Sequence, residues 1–117
     1  RILNEWGLVH FARGEYHQAI DKYQKSLSIN NGYIQTYLLL GDAYSTSGDI
    51  ARAVETYERA IEIAPDDFTV HKSLALLYEQ LGHIEEAIAE AKIARSLAPG
   101  NEAAVLEDLI THLKAQR

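Results

Sequence analysis

The five histidines are the residues of this chain best suited to bind a transition metal. They are His10, His17, His71, His83 and His112. Two histidines that share a metal on one helix need three residues between them, and no two of these have that spacing. The chain has no cysteine, which excludes thiolate ligands and a cysteine nucleophile. We therefore expect the histidines at the surface or at the edge of the core, and we expect no metal or other cofactor.

Two further groups of reactive side chains have ordinary structural interpretations. Asp66-Asp67 and Glu85-Glu86 are paired carboxylates, but each pair stands where a helix is expected to begin, and the helix dipole stabilises negative charge there. Thr46-Ser47-Gly48 lacks the lysine of a phosphate-binding loop and follows a helical pattern rather than a strand. The sequence therefore predicts a protein that is not an enzyme.

Charge and hydropathy argue against two classes of partner. The formal net charge is −6, whereas nucleic-acid binding needs clustered lysine and arginine. No apolar run approaches the roughly 20 residues that span a bilayer. Since 47% of the residues are hydrophobic, the chain can still bury a core. We predict a folded protein that binds no nucleic acid and has no membrane span.

Small residues recur along the chain with a constant period. Gly14, Gly48 and Gly82 are spaced 34 residues apart. Four more slots keep this spacing: Gly7, Gly41 and Ala75; Ala19, Ala53 and Ala87; Ser26, Ala60 and Ala94; and Asn31, Pro65 and Pro99. A period of this length indicates stacked copies of one supersecondary unit.

The middle unit shows what each slot does. Its apolar and small residues form two helical stripes: Ile34, Tyr37, Gly41 and Tyr44, then Ile50, Val54, Tyr57, Ile61 and Ala64. Gly48 can adopt the left-handed conformation that ends the first helix, and Asp49 can cap the second. Pro65 ends the second helix because it lacks an N–H group and its ring clashes with the preceding turn. Each unit is thus predicted to be two helices joined by a tight turn.

The same patterns predict an all-α chain without strands. We expect helices at residues 2–13, 17–30, 34–47, 51–64, 68–81, 85–98 and 102–116. We expect a single domain with repeats at residues 1–33, 34–67 and 68–101 and a capping helix at 102–116.

The middle unit resembles the tetratricopeptide repeat, whose pattern is W-x2-L-G-x2-Y, A-x3-F and P. It reads Tyr37-x2-Leu40-Gly41-x2-Tyr44, Ala53-x3-Tyr57 and Pro65. The third unit has His71 and Ala91 in the two main aromatic slots, and the first departs most, with Trp6 in the leucine slot and His10 in the tyrosine slot. The resemblance covers residues 1–101. It implies a right-handed superhelical solenoid of about seven antiparallel helices that binds proteins or peptides.

Both ends depart from the repeat pattern. The first unit lacks its opening residue and the chain has no methionine, so we expect a fragment of a longer chain or a processed form. The tail, in the same register, reads Val105-x2-Asp108-Leu109-x2-His112 and so loses the leucine and glycine slots. We expect Val105, Leu106, Leu109, Ile110 and Leu113 to cover the last repeat, and the true C-terminus to be near.

The resemblance also implies a concave, partner-binding face lined by the first helix of each unit. It contains Asn4, Leu8 and Phe11 from the first unit, Gln35, Leu38, Leu39 and Asp42 from the second, and Thr69, Lys72, Leu76 and Glu79 from the third. The closing helix would add Leu106, Ile110 and Lys114. The repeat pattern does not require Leu38 and Leu39, and an exposed apolar patch marks an interaction surface. We predict a groove for an apolar or amphipathic segment, either an extended peptide or a helix. The alternative is that these residues pack against one another between adjacent helices.

A carboxylate clamp of the kind that holds the C-termini of heat-shock chaperones in this family is not expected. Its lysine, arginine and asparagine positions are filled here by Asn4, Leu8, Leu39, Thr69 and Ser73, so no cationic residue matches. Three functions stay open. They are a scaffold that binds a protein or peptide, a module that self-associates through the edge bearing Ile2 and Trp6, and an accessory domain of a larger enzyme or assembly.

Overall fold

Residues 2–117 are described in the computed structural model, and they form seven α-helices and no strand. The helices are α1 (Ile2–Ala12), α2 (Tyr16–Ile29), α3 (Ile34–Ser47), α4 (Ile50–Ile63), α5 (Phe68–Gln80), α6 (Ile84–Leu97) and α7 (Glu102–Lys114). Every bound lies within two residues of the position expected from the sequence. The all-α prediction is confirmed.

The helices form two compact units. The first contains α1 to α4 and ends at Ile63, and the second begins at Ala64 and contains α5 to α7. In the first unit each helix packs on the next, and α1 also touches α3. In the second unit α5 packs on α6, and α6 packs on α7.

The expected turn residues end and begin the helices. Gly48 ends α3 in the left-handed conformation, with φ of 94°. The Asp49 carboxylate accepts the backbone N–H of Arg52 at 3.3 Å in the first turn of α4. Asp67 does the same for Thr69 at 3.0 Å and caps α5. Each contact satisfies a backbone donor that the helix itself leaves unpaired.

The two helices of a hairpin meet where a small residue of the first faces a large residue of the second. A Cβ atom added to Gly41 would lie 2.7 Å from Cζ of Tyr57, so only glycine leaves room for this ring. The first hairpin has the same pairing in Gly7 and Tyr23, and the third has Ala75 and Ala91 in these slots. In the third hairpin, the space between the two helices is therefore filled by two alanine methyl groups instead of by one aromatic ring facing a glycine.

His71 takes the place of the repeat's first aromatic residue and is buried. Its Nε2 donates to the carbonyl oxygen of Pro65 at 2.8 Å. Tyr37, at the same slot of the preceding repeat, donates its hydroxyl to the carbonyl of Asn31 at 2.7 Å. The His71 Nδ1 atom lies 2.9 Å from Oε1 of Glu90. The expectation that every histidine lies at the surface or at the core edge is therefore wrong for His71.

The closing helix does not continue the repeat register. Leu106, Ile110 and Leu113 of α7 are buried, whereas Val105 is 50% exposed. The register would instead bury Ala104, Asp108 and Thr111, which align with the buried Val70, Leu74 and Leu77 of α5. Those three α7 residues are exposed. The expectation was thus wrong for Val105, and Leu106 and Ile110 belong to the core of the second unit rather than to an exposed binding face.

The connector before α7 explains this change of face. Gly100 has a positive φ of 53°. The equivalent residue of the preceding connector is Asp66, and no non-glycine residue among those described has a positive φ. The left-handed glycine turns the chain differently into α7. As a result Ile110 and Leu113 pack on Ala87, Ile88 and Ala91 of α6.

Candidate functional site

In the first unit, the residues of the expected binding face lie on α1 and α3, with their apolar members partly open to solvent. Leu8 is 46% exposed. Phe11, Leu38 and Leu39 are half-buried, and Gln35 is exposed. Phe11 also makes an edge-on contact with the ring of Tyr16, with centroids 5.4 Å apart. These large apolar side chains could therefore bury further area against a ligand.

Asn4 is used inside the unit instead. It is buried, and its Nδ2 atom donates to Oγ1 of Thr36 at 2.8 Å, which ties α1 to α3. Its Oδ1 atom has no partner within residues 2–117. A side chain held in this way contributes to the packing of the two helices. Of the expected face of the first unit, Asn4 is thus the member that a ligand reaches least.

Asp42 is fixed by a residue of the next helix. The Tyr57 hydroxyl donates to its Oδ1 atom, so the exposed carboxylate is held in place at the surface. The equivalent residue of the first repeat is Leu8, which cannot accept a hydrogen bond. Accordingly the buried hydroxyl of Tyr23 has no partner in the described part of the chain. Burial raises the pKa of Tyr23, and the charge of Asp42 adds to this effect.

In the second unit, α7 engages part of the expected face on α5. The Lys72 ammonium lies 3.9 Å from Glu102, and Glu79 accepts from Nε2 of His112 at 3.1 Å and from Gln116 at 2.7 Å. The two charged members thus have partners within the unit. Thr69 is exposed and Leu76 is 40% exposed.

Sequence reasoning did not anticipate these polar contacts. The Tyr57–Asp42 bond could have been suspected, because both residues stand at fixed positions of the repeat. The equivalent residues of the first repeat are Tyr23 and Leu8, and this pair cannot form the bond. The contacts of α7 could not, since they depend on the face that this helix presents.

The described residues contain neither a group of side chains arranged to bind a metal nor a helix suited to span a membrane. No group of three or more histidine, aspartate or glutamate side chains within residues 2–117 is arranged to hold a metal ion. Of the helices in that range, none has the length and apolar character needed to cross a bilayer.

Two solved structures share this fold over almost the whole chain. The Yersinia enterocolitica type III secretion chaperone SycD, in complex with a peptide of the translocator YopD, has a TM-score of 0.90 at 16% identity and covers 97% of this chain and 91% of its own. The first tetratricopeptide domain of Spaghetti (RPAP3), bound to the HSP90 peptide SRMEEVD, has a TM-score of 0.87 at 20% identity, with coverages of 97% and 89%. At these identities the likeness shows the fold alone.

Sequence comparison points to the same repeat. The chain is 29% identical over 105 residues to the BBSome complex member BBS4 of Bos taurus, a match that covers 90% of this chain and 20% of BBS4. The chain thus spans about a fifth of the length of this relative. Two family models described as tetratricopeptide repeats match residues 1–66 and 38–102, each more than half of the chain. This chain therefore belongs to the tetratricopeptide repeat family.

Proposed function

We propose that this protein is a non-catalytic interaction module that binds an apolar or amphipathic peptide segment on the face formed by α1 and α3. The observation that carries the proposal is the set of large apolar side chains left partly open there: Leu8, Phe11, Leu38 and Leu39. Burying three such side chains could contribute roughly 4–8 kcal/mol before the costs of ordering are subtracted. In the second unit, described by itself, Thr69 and Leu76 of α5 are exposed, whereas Lys72 and Glu79 have partners within that unit.

The peptide complexes of the two structural neighbours support this use of the fold. SycD was solved with a YopD peptide and the Spaghetti domain with an HSP90 peptide. An acidic C-terminus is a poor candidate for this face, because Asp42, the charged residue among those proposed for it in the first unit, would repel a second carboxylate. We propose that binding is driven by apolar contact, and we expect no binding of nucleic acid to this face.

Replacing Leu39 by glutamate is expected to abolish partner capture without unfolding the chain. An unpaired carboxylate in an apolar contact costs more than about 1.4 kcal/mol, so affinity should fall at least about tenfold. The measurement is affinity capture from cell extract followed by mass spectrometry, with far-UV circular dichroism on each variant. The matched control is Ile93→Glu, because Ile93 is 42% exposed on α6, a helix that contributes no residue to the proposed face.

The expected pattern is that wild type and Ile93→Glu capture the same proteins and Leu39→Glu does not. If Leu39→Glu keeps the same partners, the α1–α3 face is not the binding site. If it loses its helical signal, Leu39 is a packing residue and the alternative interpretation of the apolar residues holds.

A second candidate function is self-association through the outer side of α1. Ile2, Trp6 and Val9 are 70%, 57% and 53% exposed. The residues at the same slots of α3 are Thr36, Leu40 and Ala43, and all three are buried. The three repeat positions that are buried on α3 are therefore exposed to solvent on α1. We infer that a second copy of the chain covers them.

Sedimentation velocity across a hundredfold range of protein concentration tests this inference. We expect the wild type to shift from monomer to dimer, because the exposed face is large and apolar. Trp6→Glu should remain monomeric at every concentration, whereas Leu39→Glu should behave like the wild type. A wild type that stays monomeric at the highest concentration would remove the self-association function and leave the peptide-binding face untouched.

A further inference from the structure

The first unit has a cleft between α2 and α4 in addition to the α1–α3 face. Both helices pack on α3. The floor is formed by Tyr37, Leu40 and Tyr44, which are at most 8% exposed. The walls are Gln24, Leu27 and Ser28 of α2 and Arg52, Glu55, Thr56 and Arg59 of α4, and Asn31 completes the lining. None of the residues of the proposed peptide-binding face lines this cleft.

Hydrogen-bond donors outnumber acceptors on the side chains of this cleft. Gln24 Nε2 donates to the Tyr44 hydroxyl oxygen at 2.8 Å, and no acceptor among residues 2–117 takes the hydroxyl hydrogen of Tyr44 in turn. The guanidinium group of Arg59 is exposed and makes no ion pair or hydrogen bond within the same range. Arg52 lies 3.5 Å from Asp49 through Nε and keeps its terminal nitrogens free for a second partner. Glu55 is the one carboxylate in the lining.

The position of the two arginines suits an extended chain. Arg52 and Arg59 are seven residues apart on α4, so they lie on one side of the helix about 10 Å from each other. Carboxylates on alternate residues of an extended peptide are about 7 Å apart, which two flexible arginine side chains can match. A planar guanidinium group binds a carboxylate through two parallel hydrogen bonds. Leu27 on the α2 wall and Leu40 on the floor offer apolar contact.

From these observations we infer that the α2–α4 cleft is a second docking site, which takes an extended acidic peptide segment with interspersed apolar residues. Its carboxylates bind Arg59 and Arg52, one of its carbonyl groups accepts from the Tyr44 hydroxyl, and its apolar side chains lie on the floor. The site is independent of the peptide-binding face proposed above, because the two share no residue.

The probe is a fluorescein-labelled peptide of sequence Asp-Leu-Asp-Leu-Asp-Leu, and its binding is followed by fluorescence anisotropy. The neutral analogue Asn-Leu-Asn-Leu-Asn-Leu serves as the control peptide. On the protein side, Arg59→Gln removes the unpaired cation, and Arg13→Gln is the matched control in the turn after α1, outside the cleft. Leu39→Glu is a third variant for comparison, because it changes the α1–α3 face and no residue of the cleft.

We expect saturable binding of the acidic peptide, weakened about tenfold by Arg59→Gln and unchanged by Arg13→Gln and Leu39→Glu. The neutral analogue should bind at least tenfold more weakly than the acidic peptide, by the same reasoning. Equal binding by Arg59→Gln, equal binding of the neutral analogue, or no binding at millimolar protein would each overturn the inference. So would tighter binding of a labelled oligothymidylate, which would assign the cleft to a nucleic acid instead.

Discussion

Replacing Tyr57 by alanine is expected to lower the free energy of unfolding by about 3–5 kcal/mol. The Tyr57 side chain is 3% exposed, its ring lies directly on Gly41, and its hydroxyl donates to Asp42. The variant therefore loses buried aromatic area and a hydrogen bond, and a cavity is left between α3 and α4. Urea denaturation followed by circular dichroism measures the loss.

A double-mutant cycle with Gly41 shows whether the two slots act together. Gly41→Ala alone is expected to cost about 1–2 kcal/mol, because overlap with the ring outweighs the better helix propensity of alanine. In the Tyr57→Ala background the same methyl group enters the new cavity, so we expect it to cost nothing or to stabilise. The double variant recreates the Ala75 and Ala91 pair of the third hairpin. Strictly additive effects would contradict the coupling of the two slots.

The hairpins could be predicted because their determinants are local. Gly48 ends α3, Asp67 caps α5, and Pro65 stands after the end of α4, and each acts on its own neighbours in the chain. The 34-residue period repeats these signals three times, which fixes the bounds of the helices to within two residues.

The closing helix could not be predicted in the same way. Its start at Glu102 follows from local signals, but the face that it buries depends on the backbone of Gly100. Glycine adopts positive and negative φ with similar ease, so the sequence alone does not choose between the two turns. Extending the repeat register therefore predicted the start of the helix correctly but wrongly predicted that Val105 is buried.

The repeat register predicts which residues belong to the candidate site, but it does not predict which of them already make contacts within the protein. The register assigns Asn4 and Asp42 to the binding face, but Asn4 donates to Thr36, which is 32 residues away in the chain. Asp42 is held by the Tyr57 hydroxyl from the next helix. Whether a slot is free for a ligand depends on which side chain the neighbouring helix places beside it. The α2–α4 cleft escaped prediction for the same reason, because Gln24 and Arg59 line one cleft only after both helices pack on α3.

Exchanging His71 for leucine is expected to lower the free energy of unfolding by about 2–4 kcal/mol. The Pro65 carbonyl can only accept a hydrogen bond, so the Nε2 atom of His71 carries a proton. The other ring nitrogen, Nδ1, lies 2.9 Å from Oε1 of Glu90, so the imidazole joins a backbone carbonyl to a carboxyl group. Leucine removes both contacts and leaves the Glu90 side chain, which is 16% exposed, without its partner. Urea denaturation again provides the measurement.

Three further variants separate the contributions of the two contacts. His71→Tyr keeps a donor for Pro65, as Tyr37 does for Asn31, and should lose less stability than His71→Leu. Glu90→Leu alone should be destabilising, because it removes the partner of Nδ1. The double variant His71→Leu with Glu90→Leu should regain most of the loss, since two apolar side chains can replace a buried polar pair at little cost. If the double variant is as unstable as the sum of its parts, the pair does not act as a unit, and the cost lies in the shape of the imidazole alone.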